Sequence, residues 1–159
     1  MSSVSLLNPI CRGLVGYVSY LATCDLSTVY SEYLLYAPMA RIAKSQGYDV
    51  SCEVPVGTKT NRRGDHQRID FKFTEKTKKK HSIALEVKWW KTKSSRDVTK
   101  DVKKLKASNF SDRFLLVFGP GKILAARHAK SNGKELSWGG EVVRWKAGKT
   151  DYAARWIKV

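Results

Sequence analysis

Residues 63–91 read Arg-Gly-Asp-His-Gln-Arg-Ile-Asp-Phe-Lys-Phe-Thr-Glu-Lys-Thr-Lys-Lys-Lys-His-Ser-Ile-Ala-Leu-Glu-Val-Lys-Trp-Trp-Lys. Two runs within this stretch alternate. In Gln67–Thr74, Ile69, Phe71 and Phe73 fall on one face, with Arg68, Asp70 and Lys72 on the other. In His81–Trp90, Ile83, Leu85, Val87 and Trp89 share a face, and Ala84, Glu86, Lys88 and Trp90 the opposite one. Period-2 alternation predicts two half-buried strands. The segment between them, Glu75–Lys80, is too charged to bury and reads as a hairpin turn.

Three of the charges sit inside the strands, where charge is costly. Glu86 and Lys88 are two residues apart and so share a face, about 6.6 Å apart at ~3.3 Å per residue. Antiparallel pairing would place Asp70 near Glu86 on that face. Two carboxylates at one spot repel, and one pKa rises unless a cation lies between them. Mg²⁺ is commonly held by one or two carboxylates together with phosphate oxygens, so Mg²⁺ or Mn²⁺ is the expected cofactor. Lys88 adds positive charge beside the pair, a set suited to a phosphoryl transition state. The plainer alternative is a Glu86–Lys88 ion pair on a solvated strand. The strongly apolar neighbours of both acids weigh against it.

Arg68-Ile69-Asp70-Phe71 followed by Leu85-Glu86-Val87-Lys88 resembles the motif of the PD-(D/E)XK, or restriction-endonuclease-like, nuclease superfamily. The resemblance implies that Asp70 and Glu86 bind the metal, with the backbone carbonyl of Val87 beside them, and that Lys88 orients or activates the attacking water. Ile69 stands where that family often has proline. Many of its members also carry a glutamate on the first helix that reaches the metal. The matching position is Glu32, in Ser-Glu-Tyr-Leu-Leu, which reads equally well as an ordinary exposed helix carboxylate.

Upstream, residues 27–46 predict a helix, with Ser27 or Thr28 as cap, Gly47 just past its end, and Pro38 either kinking it or beginning a second segment near its middle. Tyr48–Val56 predicts a strand whose Glu53 lies with Ser51 on the other face, favouring an edge or solvent position over joining the site. Residues 57–66 form a basic, glycine-containing loop. Downstream, a helix is expected from about Arg96 to Ser108, with Val98, Val102 and Leu105 inward and Lys100, Lys103, Lys104 and Lys106 on a basic outer face. Arg113–Gly119 is a continuous apolar run suited to a strand buried on both faces. Ile123–Lys130 is expected as a short helix, and residues 1–25 as a packing helix weakened by Gly13 and Gly16. In the tail, Trp138, Trp145 and Trp156 lie among basic residues. Such interleaving suits stacking on single strands, although tryptophan more often fills a core.

The order helix, strand, strand, strand, helix, strand is the αβββαβ core of the resembled superfamily. The expected fold class is therefore α/β, a central mixed sheet flanked by helices. Its core covers about residues 27–119 of a single domain, with 1–26 and 120–159 as peripheral additions.

Charge points to the partner. The 159-residue chain holds 30 Lys+Arg against 14 Asp+Glu, a net +16, which predicts a polyanion and places nucleic acid ahead of anionic membrane. Lys59, Arg62 and Arg63 in the basic loop, Arg68, the hairpin Lys78, Lys79 and Lys80, and Lys91 are the expected phosphate contacts. Gly13–Cys24 is apolar but shorter than the ~20 residues that span a bilayer. Cys11, Cys24 and Cys52 form no CxxC pair and predict buried free thiols in a reducing, cytoplasmic setting. The expected activity is metal-dependent endonucleolytic hydrolysis of phosphodiesters, with DNA ahead of RNA. The alternatives are an RNA nuclease, for example a toxin that cleaves transfer RNA, and a non-catalytic nucleic-acid-binding module. The intact Asp70, Glu86 and Lys88 oppose the second alternative. Cutting both strands at once needs two sites, which makes a homodimer a candidate assembly.

Overall fold

The computed structural model describes residues 3–26, 32–60, 66–77, 81–90, 98–124, 128–140, 142–147 and 150–159, without the side chains of 3, 32, 33, 58–60, 66, 147 and 150. Its centre is a six-stranded mixed sheet of order β1-β2-β3-β4-β8-β7. The strands are β1 (Tyr48–Thr60), β2 (His66–Glu75), β3 (Ser82–Trp89), β4 (Asp112–Pro120), β7 (Val143–Ala147) and β8 (Thr150–Lys158). β3 and β4 run parallel, and every other neighbouring pair runs antiparallel. A parallel pair needs a crossover. Here it carries helix α3 (Thr99–Lys106).

The alternation in the sequence is cashed out as two cores. Ile83, Leu85 and Val87 of β3 with Phe114, Leu116 and Phe118 of β4 pack beneath α1 (Ser3–Thr23) and α2 (Tyr36–Ser45). Ala84 and Trp90 with Leu115 and Val117 pack on the other side, against Val98, Val102 and Leu105 at α3. The apolar run at 114–118 is thus explained by a strand covered on both faces. α1 contributes Leu7, Ile10, Leu14, Val18 and Leu21 at helical spacing, all buried. Gly13, read from sequence as a weakness, is a close-approach point: a Cβ there would stand 2.1 Å from Ile42 Cδ1 on α2.

Several expectations change. The helix expected over 27–46 is a 3-10 turn, Glu32–Leu35, followed by α2, with 27–31 outside the described residues. Pro38 marks the second segment, lying in the first turn of α2, where its missing N–H has no intrahelical partner to lose. Gly47 does end the segment, at φ 84. Residues 123–130 are not one helix: α4 is Gly121–Leu124, and Ala129–Ser131 is β5, paired with β6 (Lys134–Leu136). Residues 120–159 are not merely peripheral, since β8 lies in the main sheet against β4, from Phe114↔Lys158 to Pro120↔Tyr152. Trp156 is core, Trp138 is half-buried against Trp90, and of the three tail tryptophans only Trp145 is exposed, at 59%. Cys11 is buried, but Cys24 and Cys52 are exposed; all three are free. No helix among the described residues is long and apolar enough to cross a membrane.

Candidate active site

β2 and β3 part company at Asp70. Their ladder runs from Thr74↔Ser82 to Phe71↔Leu85 and stops there. Beyond that point the Asp70 side chain takes the place of a strand partner: Oδ2 accepts the Val87 N–H at 2.7 Å. The N–H and C=O of one residue in an extended strand point to the same edge. The Val87 carbonyl therefore faces the opening that Asp70 occupies.

β1 is irregular at the same level. Its pairing with β2 passes from Cys52↔Phe71 to Val54↔Ile69, leaving Glu53 and Asp70 unpaired, and Glu53 has φ 51. A non-glycine residue at positive φ is uncommon and recurs at functional sites. The irregularity also corrects the face assignment of Ile69, which packs with the α3-side core while Phe71 and Phe73 pack under α1 and α2. Glu53, half-buried on the edge strand β1, therefore joins the site rather than solvent. Tyr36, the first residue of α2, packs its ring on Phe71 at 4.6 Å and sets its hydroxyl between two carboxylates, 2.8 Å from Glu53 Oε1 and 3.0 Å from Asp70 Oδ1. One phenolic proton serves two acceptors here. Burial, then the Glu53 bond, pushes the Tyr36 pKa up. Burial also raises that of Asp70, against the Val87 N–H and the Lys104 charge, which lower it.

Glu86 is the next residue inward and only 5% exposed. Its Oε1 accepts from the Lys104 ammonium, whereas Oε2 is buried with no hydrogen-bond partner among the described residues. Burial first, and the Asp70 charge second, push its pKa to about 8 although Lys104 opposes the rise. Lys88, 39% exposed, lies on the same strand face with Nζ 3.5 Å from Asp101 Oδ2. Lys104 was expected on the outer face of α3; the structure turns it inward instead.

Asp70, Glu86, Val87 and Lys88 thus come together. The 3-10 turn that begins at Glu32 runs against β3, but the Glu32 side chain lies outside the described residues, as does that of Lys59 at the end of β1. Arg62, Arg63, Lys78, Lys79, Lys80 and Lys91 lie outside them entirely. Arg68 is exposed on β2, opposite Pro55. Sequence reasoning missed Tyr36, Asp101 and the inward turn of Lys104. A helical wheel of α3 held part of the signal, because Asp101 adjoins the Val98–Val102–Leu105 stripe.

Among the described residues no three of His, Cys, Asp and Glu form a metal-binding group. The donor set nevertheless fits a hard divalent cation. Asp70 and Glu86 supply oxygens, one of them buried and unpartnered, and Mg²⁺ habitually completes its shell with water and substrate phosphate. Compared with models of known protein families, with curated proteins and with solved structures, the chain matches none.

Proposed function

We propose that this protein is a divalent-cation-dependent endonuclease of restriction-endonuclease-like fold that hydrolyses phosphodiester bonds, with DNA ahead of RNA as substrate. The observation that carries the reading is the Asp70 carboxylate seated on the Val87 N–H beside a buried Glu86 whose Oε2 has no partner among the described residues. The αβββαβ order within the observed elements supports the same reading, as does the net +16 charge. The free cysteines suit a reducing compartment such as the cytoplasm.

Each residue has a task that follows from its surroundings. The Val87 N–H fixes the Asp70 carboxylate before substrate arrives, so little reorganisation remains for the reaction. Glu86 completes the carboxylate pair. A divalent cation held by Asp70 and Glu86, with the Val87 carbonyl, would supply a Lewis acid for the phosphate and lower the pKa of the attacking water. The Lys88 ammonium, still partly open to solvent, faces the negative charge that develops at phosphorus. Tyr36 restrains Asp70 from the second side. The exposed Lys100, Lys103 and Lys106 of α3 offer a phosphate backbone a positive approach.

The test is a panel of duplex, junction and single-stranded DNA and RNA incubated with Mg²⁺ or Mn²⁺. Cleavage of at least one member that stops in excess chelator is the expected result. Cleavage that persists in chelator contradicts the reading, and so does inertness toward the whole panel.

A further inference from the structure

Glu86 and Lys88 of β3 each meet an opposite charge on α3, and the two pairs run crosswise. Glu86 takes Lys104, and Lys88 takes Asp101, which lies one helical turn before Lys104. The Lys104 pair is the more enclosed, with side chains 19% and 7% exposed against 39% and 13%. Lys104 therefore holds one oxygen of a buried carboxylate while the other oxygen lies unpartnered. An incoming cation would face a like charge already bonded to one of its ligands. Around this point stand the carboxylates of Glu53, Asp70, Glu86 and Asp101 and the ammoniums of Lys88 and Lys104. Carboxylates outnumber ammoniums, so the cluster has room for a cation, but Lys104 contests the ligand it would use.

Building on the metal-site reading above, we propose that Lys104 is the resident partner of Glu86, displaced together with the proton Glu86 carries when a divalent cation binds, so that α3 sets the cation affinity of the site. An exposed ion pair contributes at most ~1 kcal/mol. This pair is largely enclosed, and breaking it weakens cation binding correspondingly. Removing the ammonium should tighten binding by about tenfold or more, the equivalent of about 1.4 kcal/mol.

The experiment is a Mn²⁺ titration of the full chain without nucleic acid, followed by calorimetry and by the electron paramagnetic resonance of free Mn²⁺. Parent, Lys104→Gln, Lys104→Met and Lys103→Met are compared, with thermal melts alongside. Lys104→Gln keeps a donor for Glu86 and guards against a folding defect in Lys104→Met. Lys103→Met removes the same charge from an exposed position of the same helix. Tightening in both Lys104 variants, with Lys103→Met changed by less than about twofold, supports the proposal. Unchanged or weaker binding in the Lys104 variants overturns it, and so does equal tightening in Lys103→Met, which would reveal only the general field. Absence of Mn²⁺ binding in the parent and every variant overturns the metal-site reading itself.

Discussion

Glu86 should make the metal-free protein less stable as pH rises, and Glu86→Gln should remove that dependence. In the unfolded chain a glutamate titrates near its ordinary value of 4.5, whereas in the fold Glu86 is pushed to about 8. Between those values the native state holds a proton that the unfolded state has lost, so stability falls with rising pH. Below about 4.5 and above about 8 the two states carry the same charge and the effect is flat. Each pH unit inside the window corresponds to about 1.36 kcal/mol, which gives about 5 kcal/mol over the whole window as a ceiling. From pH 5.5 to 7.5 the parent should lose about 2–3 kcal/mol relative to Glu86→Gln. Glutamine keeps an oxygen for Lys104, and the other titrating groups are common to both proteins. The assay is urea unfolding of each at pH 5.5, 6.5, 7.5 and 9 in chelator. Parallel stability curves between pH 5.5 and 7.5 would refute the argument that burial and Asp70 hold a proton on Glu86.

Tyr36→Phe removes the hydroxyl that bridges Glu53 and Asp70. It should destabilise the protein by about 1–3 kcal/mol, measured by urea unfolding at pH 7.5; an unchanged midpoint would make the hydroxyl incidental. Lys88→Ala should lose turnover far more than affinity, and Lys88→Arg should not restore it, because a planar fork does not replace a compact point charge. Single-turnover cleavage in Mg²⁺ and binding in Ca²⁺ separate the two effects, and full turnover in Lys88→Ala would remove this residue from the site. Affinity for duplex DNA should fall with salt by about 0.9 logarithmic units per phosphate neutralised. Neutralising Lys78, Lys79 and Lys80 should flatten that slope, and an unchanged slope would place the hairpin away from the backbone.

How much of this was legible beforehand depended on how local the cause was. The alternation at 83–89 and the unbroken apolar run at 114–118 reported burial directly, because side-chain direction in a strand follows residue parity. The convergence of Asp70 and Glu86 followed from pairing two such strands. Parity then failed at the site itself: the β1–β2 ladder skips Glu53, at φ 51, and Asp70 without changing register, and Ile69 packs in the opposite core from Phe71. No propensity scale encodes that irregularity, which tertiary contacts such as the Tyr36 hydroxyl accompany. Lys104 was hidden by its company, since among several lysines of one helix only packing decides which turns inward. β8 was hidden by composition, because Arg155 and Lys158 among the tail aromatics break up any clear strand pattern. In the fold, Arg155 stacks on Trp138 at 4.6 Å and Lys158 pairs with Asp112 at 2.7 Å.

The most direct measurement is the single-turnover cleavage rate of Asp70→Asn beside the parent, on whichever substrate the parent cuts, in saturating Mg²⁺. Asparagine keeps an oxygen for the Val87 N–H and puts its amide N–H against the Tyr36 oxygen, whose own proton goes to Glu53, so the fold should be retained, as a thermal melt of each protein checks. The account predicts a rate lower by about a thousandfold or more, of order 4 kcal/mol in the barrier, with little change in affinity for the nucleic acid in Ca²⁺. Cleavage by Asp70→Asn at the parent rate would contradict the claim that chemistry occurs where β2 and β3 separate.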